Sequence, residues 1–462
     1  MSSGKPLARR RFLKTMVAAG AVPSLFSLAK PPALVEWSEG PYGPLVQDPK
    51  GLLDLPKGFS YHLFSKTGET MDDGFLVPSA LDGMAAFPGD SGTTILVRNH
   101  ELSPNDNRTT PYGKDKDKWA ALGTSLLYDE GRSGVAVCGG TSTLVYDTRQ
   151  RKLLKHHLSL AGTFRNCAGG RTPWHTWISC EETTQYALGS RDTNHGYCFE
   201  VDPRANQLQP PRRLPGLGRF RHEAVAIDPR DGIVYLTEDL NNGLFYRFIP
   251  ETPNNLAGAG RLQALSIIEM SGESTANRKD LGPATVEANK QMAVRWIDLD
   301  QTNNPLNDLH LRGQQAGAST FCRGEGIDFG GDTLVFSCTS GGPVEQGQVW
   351  RYTPGKNSGK ANETPGMLEL FAEPNDSKRM SMVDNLVISP NGDIILAEDN
   401  TKNHNRIIGI TPKGQIYTLA KNVRTKHEFA GCTWSPDGQT LFFNIFDEGG
   451  TVAVTGPWRN PA

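Results

Sequence analysis

The chain has 462 residues, of which 37% are hydrophobic and 21% charged, so it can bury a large core and is not of the disordered class. Its formal net charge of −2 argues against a nucleic-acid partner, which would favour a basic face. The 50 glycines and 31 prolines suit many tight turns between short strands, as in an all-β protein.

The N-terminus carries a targeting pattern. Residues 9–14 match the twin-arginine pattern R-R-x-F-L-K. A weakly apolar stretch follows as far as Ala29, and it is too short for a stable membrane span. We therefore predict a signal peptide at residues 1–29 that is recognised by the twin-arginine (Tat) export machinery, and a periplasmic or extracellular location. Residues 30–58 are predicted to be a linker.

Residues 59–458 are predicted to form one domain of repeated strand units. The strands are short and apolar, and turns such as Pro390-Asn-Gly-Asp393 join them. Six units begin at residues 82, 167, 223, 325, 384 and 428. This pattern predicts a six-bladed β-propeller with a central-channel metal site and long inserted loops, especially at 251–320. An N-terminal strand at 59–64 is expected to close the ring; the alternative is a pair of open sheets.

Polar residues recur at fixed positions of these units. The residues that open the first strands are Asp82, Cys167, Glu223, Glu325, Asp384 and Glu428. The segments that close the second strands are Asn99-His-Glu101, Cys180-Glu-Glu182, Glu238-Asp239, Ser337-Cys-Thr339, Glu398-Asp-Asn400 and Phe446-Asp-Glu448. Because the first two strands of a unit are antiparallel, these clusters are all expected to meet at one mouth of the channel.

The crowded carboxylates predict bound cations, because like charges around a narrow axis raise each other's pKa values and cations remove the conflict. Oxygen ligands favour Ca²⁺, Mg²⁺ or Mn²⁺, whereas a thiolate from Cys167 favours iron or zinc. A mixed metal site is therefore expected. Three histidines, each preceding a glutamate, are expected to support the site from behind or to hydrogen-bond backbone: His100, His222 and His427.

Cations accompany the same strand starts. They are Arg165, Arg219, Arg221, Arg323, Arg379, Arg424 and Lys426. Singly, each is an ordinary loop charge or ion-pair partner, but several of them above a metal cluster would bind a phosphate group. Metal ions with arginines are the machinery of phosphate-ester hydrolysis. The chain has no P-loop and no G-x-S-x-G motif.

Several motifs together resemble the PhoX family of twin-arginine-exported alkaline phosphatases. Besides the signal they include Asp82-Gly-Met-Ala-Ala-Phe-Pro88, Asn99-His-Glu101, Asn166-Cys-Ala-Gly-Gly170, Ser179-Cys-Glu-Glu182, Arg221-His-Glu-Ala224, Arg323-Gly-Glu-Gly326 and Asp384-Asn385 with Glu398-Asp-Asn400. The resemblance covers nearly the whole chain after the signal. It implies a six-bladed propeller that holds an iron and calcium cluster at the channel mouth and releases inorganic phosphate from small phosphate esters.

The resemblance also implies roles for single residues. Cys167 would be an iron ligand, and Arg323 would bind phosphate. The acidic ligands of the cluster would be Glu182, Glu223, Glu325, Asp384 and Asp399. We add Arg221 to the catalytic cations, and Glu101 and Glu428 to the metal ligands, because they lie in the same motifs and strand positions.

Other functions fit the same acidic ring. One is a calcium-dependent lactonase or phosphotriesterase propeller, which needs no thiolate. Another is an exported binding propeller without catalysis, in which the acids bind calcium for stability. Unit four closes its second strand with Ser337-Cys-Thr-Ser340 instead of acids, which predicts an asymmetric or smaller cluster.

Overall fold

Short β-strands make up almost all of the regular structure. The computed structural model describes residues 40–113, 117–132, 134–188, 194–447 and 449–459. The described residues belong to one compact unit. The predicted signal peptide at 1–29 lies outside the described residues. Within the described ranges, the α-helices are α1 (Asp117–Ala120) and α2 (Leu309–Gln315).

The strands of the N-terminal half are short and mostly consecutive in the sheets. Strands β1 to β7 are Leu45–Val46, Leu53–Pro56, Ser60–Phe64, Leu81–Pro88, Thr94–His100, Gly139–Asp147 and Lys152–Thr163. Strands β8 to β14 are Asn166–Arg171, Trp177–Glu181, Cys198–Val201, Arg212–Arg213, His222–Ile227, Val234–Glu238 and Gly243–Leu244.

The C-terminal half continues the pattern. Strands β15 to β21 are Tyr246–Pro250, Gly260–Ile267, Gln291–Asp298, Thr320–Phe321, Gly324–Gly330, Thr333–Cys338 and Gln348–Thr353. Strands β22 to β29 are Gly366–Ala372, Val383–Ile388, Ile394–Glu398, Arg406–Ile410, Ile416–Asn422, Phe429–Trp434, Thr440–Ile445 and Thr451–Thr455.

Antiparallel four-strand meanders are the building blocks. Unit one is β4–β7, and unit two is β8–β11. Unit three (β12, β13, β15, β16) and unit four (β19–β22) belong to one nine-stranded sheet because β17 pairs with both β16 and β22. Unit five is β23–β26, extended by β2 and β1, and unit six is β27–β29 with β3. The result is an all-β, propeller-like arrangement.

The first strands of the units pack side by side in a closed cycle. Strand β4 contacts β8, β8 contacts β12, and the series continues through β19, β23 and β27 back to β4. The strands approach very closely: a Cβ added at Gly83 would lie 2.5 Å from the Ala168 Cα, and one at Gly326 would lie 2.5 Å from the Leu386 nitrogen. Glycine is required there because a side chain would collide with the neighbouring backbone.

Apolar side chains fill the spaces between neighbouring units. The layer between units three and four is aromatic, with stacked rings of Phe245, Phe336 and Trp350. Such rings bury large areas and prefer offset or edge contacts, which fixes the sheets relative to each other. The core is therefore divided into inter-unit layers around the cycle of first strands.

Two predicted irregular regions contain regular structure. Part of the predicted linker at 30–58 forms β2, which pairs with β26 through Leu53 and Asp54. The predicted loop at 251–320 was wrong over much of its length, because it contains β16, β17 and α2. The cause is that β16 is the fourth strand of unit three and β17 joins that unit to the next sheet.

Candidate metal centre

A β-bulge re-aims one side chain at the start of the first strand in five units. In unit three, for example, pairing runs from His222 opposite Glu238 to Val225 opposite Leu236, so two residues face one. The same shift occurs at the start of β4, β8, β19 and β23. The first bulged residues are Asp82, Cys167, Glu223, Glu325 and Asp384. Bulges change the direction of a side chain and recur beside active sites, which explains why the strand openers share a phase.

Closing residues of the second strands complete an acidic ring. Electrostatic contacts link nine carboxylates of the described residues, which are Asp82, Glu101, Glu182, Glu223, Asp239, Glu325, Asp384, Asp399 and Glu428. Ligand atoms of Glu223, Glu325 and Asp384 lie within 4.8 Å of one another. The structure therefore brings together every acid that the sequence predicted as a ligand, and it adds Asp82 and Asp239.

Burial makes the ionised form of this ring costly. It raises the pKa of Glu182 to about 8, with the charge of Glu101 adding to the effect. It raises the pKa of Asp384 to about 7, with the charge of Asp399 adding to the effect. The pKa values of Glu223 and Glu325 rise well above their ordinary range for the same reasons. Divalent cations offset this repulsion, so the ring fits oxygen-ligated metal ions such as Ca²⁺.

Cys167 lies at the ring but outside the closest carboxylate group. Its Sγ lies 3.2 Å from the His222 carbonyl oxygen and 3.6 Å from that of Glu223. Burial raises the pKa of the Cys167 thiol, and the neighbouring charge of Glu223 raises it further. A thiolate therefore requires a nearby cation, and the donor set of sulfur beside carboxylates fits a mixed site.

Three arginines stand over one side of the ring. Arg165 pairs with Glu101 and Glu182, and Arg221 also donates to Glu182 at 3.0 Å. Arg323 donates to Asp239 at 2.7 Å and to Glu325 at 2.9 Å. Their side chains are 28% to 38% exposed, so solvent reaches them. Three of the other predicted cations donate to backbone carbonyl oxygens instead of to the ring acids; they are Arg219, Arg424 and Lys426.

These arginines occupy one recurring backbone position, two residues before the bulged ligand in units two, three and four. Arg165 and Arg323 have left-handed φ angles of 46° and 57°, as do Ala80 and Met382 at the same position in units one and five. The carbonyl of each accepts the N–H of its unit's closing residue, with donors Glu101, Glu182, Thr339 and Asp399. A left-handed backbone conformation of this kind persists where the surrounding structure fixes it. Here the hydrogen bonds at this position connect the start of each unit's first strand with its closing residue.

A family model described as alkaline phosphatase PhoX matches residues 40–449. The chain belongs to the PhoX family. The matched region contains every described acid of the ring and all three arginines, so the centre lies wholly within the part shared with PhoX proteins.

One solved structure supports the fold. The chain is similar to Pseudomonas fluorescens PhoX in complex with vanadate, a transition state analogue, with a TM-score of 0.64 and 18% identity over 88% of this chain and 96% of that chain. A gluconolactonase from Xanthomonas campestris matches over 90% of this chain and 99% of its own, at 11% identity and a TM-score of 0.44. No curated protein sequence matches the chain.

Not every predicted polar residue of this PhoX chain enters the ring. Glu181, Glu238 and Glu398 are strand-end acids that turn away and bind neighbouring backbone or side chains instead. Glu181 accepts the Phe164 N–H at 2.9 Å, and Glu238 accepts the Leu244 N–H at 3.0 Å. The expectation that every closing cluster enters the mouth was therefore wrong in part, because adjacent residues of a strand point to opposite faces.

The sixth unit also departs from the predicted phase. Its bulge falls between Ala430 and Thr433, and Glu428 lies at the backbone position that the arginines hold in units two to four. Its carboxylate still reaches the ring, where it hydrogen-bonds Asp399. Phe446 takes the closing position, since its N–H donates to the Glu428 carbonyl. Unit four has Thr339 there, so the predicted asymmetry of the ring is real.

The three histidines have structural contacts. His100 hydrogen-bonds Ser79 and Ser142, and His222 hydrogen-bonds the Gly218 carbonyl. His427 pairs with Asp447 at 3.1 Å.

A cavity lined by residues of the first strands lies apart from the acidic ring. Its volume is about 810 Å³, and its lining includes Gly83, Asp328 and Trp434. None of the nine ring acids lines it. This cavity is therefore not part of the candidate metal centre.

Proposed function

We propose that this PhoX-family chain is a metal-dependent phosphomonoesterase, an alkaline phosphatase that releases inorganic phosphate from small organic phosphate esters. One observation carries the proposal: a buried ring of nine carboxylates has three partly exposed arginines along one side. The acids can bind metal cations and the arginines can bind a phosphate group, so the site has the two kinds of groups that metal-dependent phosphate-ester hydrolysis needs.

The cofactors of the proposal are iron and calcium. Glu223, Glu325 and Asp384 would hold the cations most closely, since their ligand atoms are already within 4.8 Å of one another. The other ligands would be Cys167, Glu101, Glu182, Asp399 and Glu428, together with Asp82 and Asp239. When bound, the metal cluster would polarise the phosphoryl oxygens and activate the attacking water.

The chain's own part in the reaction is binding and charge stabilisation. Arg221 and Arg323 would bind the phosphoryl oxygens through their planar donor groups, and Arg165 would extend this set. Each is already held by acids of the ring, so its guanidinium is positioned before substrate arrives. Positioned donors stabilise the charge that develops on the transferred phosphoryl group.

The proposed architecture and cellular location are those predicted from the sequence. The six units would be the blades of a six-bladed propeller at residues 59–458, with the metal centre at one channel mouth. Residues 1–29 would direct export by the Tat machinery to the periplasm or the exterior, with 30–58 as the connecting segment. Within the described residues, no helix is long and apolar enough to cross a membrane.

Turnover of p-nitrophenyl phosphate at alkaline pH tests the activity. We expect hydrolysis by protein that contains calcium and iron, loss of activity with a chelator, and recovery when the metals return. The vanadate named with the Pseudomonas fluorescens structure supplies a second probe, because it should compete with substrate here if the sites correspond. Metal-loaded protein without turnover would refute the proposal.

Elemental analysis of the purified protein separates the competing functions. Iron with calcium supports the phosphatase. Calcium alone, together with lactone or phosphotriester hydrolysis, would favour the other enzyme class. Protein without a tightly bound transition metal and without chelator-sensitive activity would favour a binding propeller.

A further inference from the structure

The bulges that aim the ligands also leave backbone groups without ladder partners. A bulge places two residues opposite one, so the extra residue loses its place in the strand pairing. At this centre the bulges are buried, and a buried carbonyl oxygen without a donor is costly. The donors for these carbonyls come from the neighbouring unit.

Four side chains make these contacts from one unit to the next. The Asn99 amide donates to the Cys167 carbonyl at 3.1 Å and to the Ala168 carbonyl at 2.7 Å. The Asn444 amide donates to the Asp82 carbonyl at 2.6 Å.

Two hydroxyl groups do the same. The Thr237 hydroxyl donates to the Glu325 carbonyl at 2.6 Å, and the Ser337 hydroxyl donates to the Asp384 carbonyl at 2.6 Å. Thr237 also accepts the N–H of Ala224 at 3.0 Å, which belongs to the bulge of its own unit. One hydroxyl therefore joins two successive bulges.

The donors share a position and a degree of burial. Asn99, Thr237 and Ser337 are each the single residue opposite the bulge of their own unit, and Asn444 faces the start of β27. All four are at most 1% exposed. Because these side chains are buried, they and not water supply the hydrogen bonds to the bulged carbonyls.

We infer that Asn99, Thr237, Ser337 and Asn444 are positioning residues that set the metal-ligand geometry of each unit from the unit before it. They bond the backbone of a ligand residue, whereas the carboxylates and the thiol would contact the metal. The inference rests on the proposed metal centre. It explains why an amide or hydroxyl lies two residues before the closing residue of the preceding unit, which is Glu101, Asp239, Thr339 or Phe446.

At the two remaining junctions between units, other polar groups contact the backbone at the ring. Between units two and three, the Cys167 thiol lies against the carbonyls of His222 and Glu223. Between units five and six, the Asn385 side chain accepts the N–H of Gly431 at 2.6 Å. Each junction therefore has a polar contact to the backbone at the ring.

Matched variants of one strand position test the role. Thr237→Val removes the hydroxyl and keeps the shape, while Thr237→Ser keeps the hydroxyl. Thr143→Val is the control, because Thr143 is 1% exposed and its hydroxyl has no hydrogen-bond partner among the described residues. Ser337→Ala gives an independent second site if Thr237→Val does not fold. Each full-length protein is stripped with chelator, checked by thermal unfolding and titrated with Ca²⁺ alone.

We expect Thr237→Val and Ser337→Ala to bind Ca²⁺ about 10- to 100-fold more weakly, as when a supporting partner of a ligand is lost. Thr237→Ser and Thr143→Val should match the unchanged protein. If Thr237→Val and Ser337→Ala bind Ca²⁺ as tightly as Thr143→Val, the positioning role is wrong, even if their metal-free forms unfold at lower temperature. If the unchanged protein binds no cation, the proposed metal centre fails and the positioning role fails with it.

Discussion

At the scale of single residues, the centre depends on keeping carboxylates close together in a buried place. An isolated buried charge is expensive, and here nine acids face three arginines. Protons or bound cations must therefore balance the excess negative charge. Glu182 and Asp384 are the most informative groups, because the pKa values of both are raised into the neutral range.

Stability of the metal-free protein should fall as pH rises. The pKa of Glu182 rises from 4.5 to about 8, and that of Asp384 rises from 3.8 to about 7. Between those values the folded state holds more protons than the unfolded chain, so the free energy of unfolding decreases with pH. In chelator, thermal unfolding should occur at lower temperature at pH 8.5 than at pH 5.5. Calcium should reduce or reverse the difference; a metal-free protein that gains stability with pH would contradict this.

Cys167→Ser should lose bound iron and phosphatase activity while the fold persists. The oxygen is smaller and harder than sulfur, so the change removes the one soft ligand and leaves the carboxylates. Elemental analysis and thermal unfolding are the measurements. Cys432→Ser is a control for loss of a buried thiol in a first strand outside the ligand set. Full iron content in Cys167→Ser would contradict the ligand role.

The sequence pattern predicted which segments meet at the ring, but not which acid of each segment points into it. The antiparallel pairing of two strands is enough to place openers and closers at one mouth. It does not tell Glu181 from Glu182, since one ends β9 and the other follows it directly, and only the local backbone turns one of them inward. The offset of Glu428 was equally hidden, because it depends on a bulge that falls later in β27.

At the scale of elements, the bulged first strand is the unit of construction. The first strands pack closely beside the bulges, and a glycine or alanine follows the ligand residue directly in units one to four. Gly83 and Gly326 lie where a side chain would meet the next unit's backbone. Periodicity predicted these strands because apolar runs and turns alternate, whereas bulges leave no period of their own.

Gly83→Ala should destabilise the fold and weaken metal binding together. The new Cβ would lie 2.5 Å from the Ala168 Cα, so β4 and β8 must separate next to Cys167. Overpacking of this kind costs about 1–3 kcal/mol of unfolding free energy. Denaturant unfolding and calcium titration are the measurements, and Gly123→Ala is the control because its Cβ would meet nothing closer than 3.9 Å. Unchanged values for Gly83→Ala would mean that the neighbouring strand yields freely.

At the scale of the whole molecule, the first strands contact one another in a cycle and β3 pairs with β29. A strand from the beginning of the domain thereby completes the sheet made at its end. Turn motifs and unit length predicted the all-β, propeller-like fold. They could not show that β2 extends unit five or that β17 joins units three and four, because these pairings are between distant segments.

Removal of β3 should open the molecule. A chain that begins at residue 66 lacks β1, β2 and β3, which exposes the edges of β29 and β26. Free edges promote aggregation, so we expect a lower unfolding temperature and larger species in size-exclusion chromatography. A chain that begins at residue 40 is the matched control and should behave as the full chain does. Equal behaviour of the two truncations would show that closure by β3 contributes little.

The three arginines make the two sides of the acidic ring chemically different. They stand on consecutive units, two to four, while Ala80, Met382 and Glu428 hold the same backbone position on the opposite half. A phosphate ester in the proposed reaction would therefore bind in one orientation, with its phosphoryl group toward units two to four. Its organic group would face units five, six and one, which hold no cation at that backbone position; Arg108 lies there but bonds the Glu101 carbonyl and pairs with Asp447.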